Sequence, residues 1–128
     1  MACKFHHVTL SVYDFEKSVK FYKEVLGLKQ ATTWMMGDVP AIMFRMDDGG
    51  HIEIFGNGTS EEESNPRWVR IALEVEDVDA IYEKSLEYGA ETLRPPGDIM
   101  VAGDGFQKIH CVFIKCPGGG VMQLFEYK

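Results

Sequence analysis

His7-Val8-Thr9-Leu10-Ser11-Val12-Tyr13-Asp14 decides the fold, because the pattern recurs at Arg70-Ile71-Ala72-Leu73-Glu74-Val75-Glu76-Asp77. The two stretches match position for position. In each, apolar residues take every second place: Val8, Leu10 and Val12, then Ile71, Leu73 and Val75. That two-residue period marks a strand with one buried face. Each strand ends on an Asp, whose carboxylate can accept from the free N–H groups that open a helix. After Asp14, the residues Phe15, Ser18, Val19, Tyr22 and Leu26 fall at helical spacing, and Gly27 supplies the stop. After Asp77, the residues Val78, Ile81, Tyr82 and Leu86 do the same, and Gly89 closes the helix.

The repetition resumes downstream. Gly50-His51-Ile52-Glu53-Ile54-Phe55 matches Gly120-Val121-Met122-Gln123-Leu124-Phe125. Turn signals divide the remaining strands at Gly37-Asp38, Asp47-Asp48-Gly49-Gly50, Pro95-Pro96-Gly97-Asp98, Gly103-Asp104-Gly105 and Pro117-Gly118-Gly119-Gly120. Each half therefore reads β-α-β-β-β, its last two strands forming a hairpin. The predicted class is α+β: two βαβββ repeats forming a curved, cup-like mixed sheet with helices on its outer face. Repeat one covers about 4–56, a linker rich in Gly, Ser, Asn and Glu about 57–66, and repeat two about 67–128, all in one domain spanning 1–128.

Strand parity sorts the side chains. One face carries Val8, Leu10, Val12, Ile52, Ile54, Ile71, Leu73, Val75, Met122 and Leu124, which must pack beneath the helices. The other carries His7, Thr9, Ser11, His51, Glu53, Arg70, Glu74 and Gln123, interleaved with Phe5, Phe55, Trp68, Val121 and Phe125. Convergent polar groups among large apolar ones describe a small-molecule pocket, so these faces are expected to meet in one, with His51, Phe55, Trp68 and Phe125 as walls.

Composition narrows the function classes. The chain has 128 residues, 45% hydrophobic and 26% charged, with a net charge of −7. An acidic balance disfavours nucleic acid as a partner, which needs a basic face. No apolar run is long enough to cross a bilayer, so no membrane partner is expected. The N-terminus runs straight into the first strand without a signal-peptide pattern, and the expected location is cytoplasmic. Three cysteines, Cys3, Cys111 and Cys116, with no CxxC pair, predict reduced thiols packed among apolar neighbours.

These motifs resemble the vicinal oxygen chelate superfamily, which includes glyoxalase I, bleomycin-resistance proteins, methylmalonyl-CoA epimerase and extradiol dioxygenases. The resemblance rests on His7 to Asp14 followed by Ser18, Phe21, Tyr22 and Gly27. It extends through Glu53-Ile54-Phe55, and through Pro117-Gly118-Gly119 leading to Gln123-Leu124-Phe125. It covers nearly the whole chain. It implies one divalent ion (Zn, Ni, Fe or Mn) held by four side chains, at positions that fall on His7, Glu53, Arg70 and Gln123. His7, Glu53 and Gln123 carry donors. Arg70 stands where a His is expected, and a guanidinium stays protonated and cannot ligate, so metal is expected to bind weakly or not at all. His51 and His110 are further candidate ligands, whereas His6 has outward parity.

For chemistry, the resemblance implies a lyase or isomerase acting on a substrate with adjacent oxygens. Glu53 would serve as the base, Arg70 would steady a developing oxyanion, and Glu74 offers a second carboxylate. The alternative is a metal-free protein that binds or sequesters a small molecule, as in the bleomycin-resistance branch. Arg70 is also expected to pair with Glu53. Open sheet edges predict a homodimer.

Overall fold

The structure is a computed structural model that describes residues 5–59, 70–103 and 105–128. Cys3, Trp68 and most of the linker lie outside those residues. The element order is β1 (His7–Ser11), α1 (Phe15–Lys20), β2 (Lys29–Met36), β3 (Val39–Arg45), β4 (His51–Phe55), β5 (Ile71–Glu74), α2 (Val78–Glu87), β6 (Glu91–Gly103), β7 (Gly105–Lys115) and β8 (Val121–Tyr127). The βαβββ repeat is present twice. It builds two separate four-stranded mixed sheets, ordered β1-β4-β3-β2 and β5-β8-β7-β6, instead of one continuous sheet. In each, the first strand runs parallel to the last, and the other pairs are antiparallel.

The helix caps follow the sequence. Asp14 accepts from the Lys17 N–H and Asp77 from the Ala80 N–H, each at 3.1 Å. The body of the first helix departs from it. After Lys20 the chain widens into a π-helical turn over Phe21–Val25, with the Leu26 N–H reaching the Phe21 carbonyl. Both Phe21 and Tyr22 are thereby buried, and Tyr22 stacks on Phe44 of β3 with ring centroids 5.9 Å apart. Adjacent residues of a regular α-helix project about 100° apart, and the wider turn brings the two rings closer to one direction. Burial, followed by the Cys116 thiol beside it, raises the Tyr22 phenol well above its ordinary value.

The core sits on the helix side, and both halves line it. Tyr22, Phe44, Ile52 and Ile54 from the first repeat join Val78, Val112, Ile114, Met122 and Leu124 from the second. Val8, Leu10, Ile71, Leu73 and Val75 pack only partly, because β1 and β5 are edge strands with a partner on one side. Cys111 and Cys116 are buried thiols not joined to each other in a disulfide, as expected. No helix among the described residues is long and apolar enough to cross a membrane.

One turn keys the halves together. The Gly118 carbonyl accepts from the Tyr13 N–H at 3.0 Å and from the Asp14 N–H at 2.9 Å, and the Ser18 hydroxyl donates to the Pro117 carbonyl at 3.0 Å. Gly118 has φ +83°, and a Cβ there would collide with the Asp14 carbonyl and the Ser18 hydroxyl. Only glycine satisfies both the backbone and the space.

A second tie holds α2. His110 Nε2 lies 2.9 Å from Asp79 Oδ1 at the start of α2, and Nδ1 lies 2.7 Å from Asp98 Oδ1 on β6. Its register partner on β8 is Glu126, and Lys108 lies 3.7 Å from Asp98. His110 therefore belongs to the helix side and is a structural bridge, not the metal ligand that a histidine on this strand suggested. The bonds to Asp79 and then to Asp98 raise the His110 pKa, and the His110 bond in turn lowers that of Asp98.

Two outcomes follow. Gly118→Ala is expected to cost about 2–4 kcal/mol in urea unfolding, from strain plus overpacking. Gly27→Ala, at φ +69° in open space, should cost about 1 kcal/mol; equal losses at the two sites would refute the keying. Because the folded pKa of His110 is raised, its contribution to stability is complete below the unfolded value of about 6.5 and fades as pH rises through the folded value. A stability–pH profile should show this decline beginning as pH rises above about 6.5, and His110→Gln should flatten it.

Candidate functional site

Parallel pairing of β1 with β4 sets His7 against His51 and Thr9 against Glu53. Alternate residues of paired strands share a face, so these four side chains form one polar patch. The Thr9 hydroxyl donates to Glu53 Oε1 at 2.9 Å, and His7 Nε2 lies 3.8 Å from the same oxygen. The Glu53 side chain is 17% exposed and that of His7 37%. A carboxylate this shielded, steadied by a hydroxyl donor and an imidazole, is held in one place.

His6 extends the patch. Its Nδ1 lies 2.7 Å from His7 Nδ1, and its ring stacks on that of His51 with centroids 5.2 Å apart. The outward parity read for His6 fails because the residue precedes β1, where strand alternation does not apply. The signal that could have found it is its adjacency to His7. His51 is half-buried, and its Nδ1 is buried without a hydrogen-bond partner.

The second repeat presents the equivalent positions with different chemistry. Gln123 on β8 is 8% exposed and pairs in register with Ala72 of β5 and Phe113 of β7. Arg70 precedes β5 and is exposed, its guanidinium carbon 4.9 Å from the centre of the Phe113 ring. That is a cation–π contact worth about 0.5–1 kcal/mol at an exposed site. The expected Arg70–Glu53 pair is absent: among the described residues, no ion pair joins them, and the guanidinium stacks on its own sheet. Glu74 is exposed at the end of β5, opposite Phe125. Phe55 meets Trp34 edge-to-face at 5.9 Å, and Phe125 meets Tyr127 likewise at 5.5 Å, so the aromatic walls are partly engaged locally. Trp68 falls outside the described residues.

The structure thus brings together His7, Glu53 and His51 in one group, and Arg70 with Gln123 around Phe113 in another. Among the described residues, no hydrogen bond, ion pair or ring contact links the groups. The donor set bears directly on the implied metal. His7 and Glu53 are spaced as two corners of one ion's shell would be, but no group of three His, Cys, Asp or Glu side chains among the described residues is placed to share an ion. The remaining positions supply an amide, whose oxygen can ligate, and a guanidinium, which cannot.

Residues 4–119 match the family model described as Glyoxalase/Bleomycin resistance protein/Dioxygenase superfamily. An uncharacterized protein YwbC of Bacillus subtilis is 28% identical over 98% of this chain and 99% of its own. A probable lactoylglutathione lyase of Vibrio parahaemolyticus is 27% identical over 95% of this chain and 89% of its own. Among solved structures, a glyoxalase family protein from Bacillus cereus superposes with a TM-score of 0.75 at 18% identity, covering 99% of this chain and 95% of that one. The trypanothione-dependent glyoxalase I of Leishmania major gives 0.70 at 21% identity, covering 98% and 87%. The two structures share the fold.

Proposed function

We propose that this chain, which belongs to the Glyoxalase/Bleomycin resistance protein/Dioxygenase superfamily, binds a small molecule with adjacent oxygens without a tightly held metal. The observation that carries this reading is Arg70: a permanent cation at a position equivalent to His7, stacked over Phe113. It repels a divalent ion and attracts an anionic or carbonyl oxygen. Glu53, fixed by Thr9, faces the same ligand from the other sheet, and Gln123 offers an amide beside Phe113. The polar patches lie on separate sheets, so a two-fold homodimer that pairs the first repeat of one copy with the second of another is the proposed working form.

The lyase or isomerase reading is favoured by the shielded Glu53–His7 pair and by the relatives named probable lactoylglutathione lyase. In it Glu53 takes the proton next to a carbonyl and returns it to the adjacent carbon, Arg70 stabilises the oxyanion formed between the two transfers, and His7 steadies the carboxylate. Every group required belongs to this chain.

Untagged protein purified without chelators is expected to carry far less than one metal per chain by mass spectrometry, and Arg70→His to raise divalent affinity about tenfold or more. One tightly bound ion per chain in the unaltered protein would replace this reading with a metal-dependent one. If the chain is a lyase, Glu53→Gln should lower turnover of the lactoylglutathione reaction by about 10²- to 10⁴-fold while leaving ligand binding intact. Light scattering should give twice the 14.5 kDa chain mass; a monomer at micromolar concentration refutes the dimer.

A further inference from the structure

Register sorts the polar face of the first sheet into rows that cross all four strands. His7, His51, Arg45 and Lys29 form one row, and Thr9, Glu53, Met43 and Thr32 the next. Ser11, Phe55, Ala41 and Trp34 form the third, which holds no charge. Polarity therefore falls in one direction along the strands, from imidazoles and cations, past the Glu53 carboxylate, to aromatic rings.

The third row is arranged around its smallest member. Ala41 stands between Phe55 and Trp34 and is 2% exposed. Its methyl leaves room for the two rings to meet edge-to-face, with centroids 5.9 Å apart. Both rings are half-buried, so part of each stays open. Such a pair is a platform on which a third ring can pack. Same-face neighbours on a strand are about 7 Å apart, which is the step from Glu53 to Phe55. An oxygen hydrogen-bonded to Glu53 at about 2.7 Å leaves a ring on its own carbon over that step. A methyl group would stop short of the rings, and a charged substituent would meet a row with nothing to pair it.

We infer that the ligand carries an aryl group on one of its two oxygen-bearing carbons, packed on Phe55 and Trp34 while the oxygens meet Glu53. This names the substrate class of the site proposed above and rests on the adjacent-oxygen reading of it.

The test is titration of the ¹⁵N-labelled protein with 2-hydroxyacetophenone and with hydroxyacetone, neutral ketols that differ in phenyl against methyl. The chain has two tryptophans, so the Trp34 indole N–H is the signal that Trp34→Phe removes. Saturable shifts are expected at Glu53, Phe55 and the Trp34 indole, with the phenyl ketol at least about tenfold tighter. Trp34→Leu, on an exposed edge strand, should weaken the phenyl ketol about fivefold and leave hydroxyacetone unchanged. Equal affinity for the two ketols, a Trp34 indole unmoved at saturation, or full phenyl preference in Trp34→Leu would each overturn the inference and leave the adjacent-oxygen reading standing. Binding of neither ketol would overturn that reading, and this inference with it.

Discussion

The carbonyl of Gly118 accepts from two successive amides, Tyr13 and Asp14, while the missing side chain lets the second repeat's turn slide beneath the first repeat's helix. Asp14 is at once the cap of α1 and the residue that meets this turn. The contact places Cys116 against Tyr22, so the π-helical turn of the first repeat and the last strands of the second enclose one core. Two βαβββ units of this size would each bury little on their own. A shared core solves that problem, and the docked turn closes one side of it.

The docking is not symmetric. The equivalent turn of the first repeat, Asp48-Gly49-Gly50, closes on itself through the Asp48 carboxylate and the Met46 backbone. The start of α2 is instead met by Glu126, whose carboxylate accepts from the Val78 N–H at 3.2 Å, and by the Asp79–His110 bridge. The same helix-opening problem, unpaired amides at an N-terminus, is met by backbone keying in one half and by charge in the other.

Much of this was legible in the sequence. Alternation located β1, β4, β5 and β8 and assigned their faces correctly, since a one-residue error would have put Ile52, Ile54, Met122 and Leu124 on the wet side. The caps at Asp14 and Asp77 were equally readable. The π-helical turn was not, because a 3.6-residue template passes over Phe21 and selects Tyr22 alone. His6 escaped because periodicity describes strand residues and says nothing of the one before a strand. The separation of the two sheets was also hidden: parity fixes which way a side chain leaves its strand, not which other strand it meets. Arg70 shows the same limit, since a long side chain with an aromatic ring on its own sheet has a local partner and need not reach across.

The repeats began as copies in pattern, but their functional positions no longer agree: His7 and Glu53 in one, Arg70 and Gln123 in the other. A scaffold with true two-fold character offers a ligand two interchangeable orientations. Here a carboxylate stands in one half and a permanent positive charge in the other, so a molecule that met both would meet them in one orientation only. Direction is the consequence: two unlike charges distinguish the head of such a molecule from its tail, which two identical halves could not do.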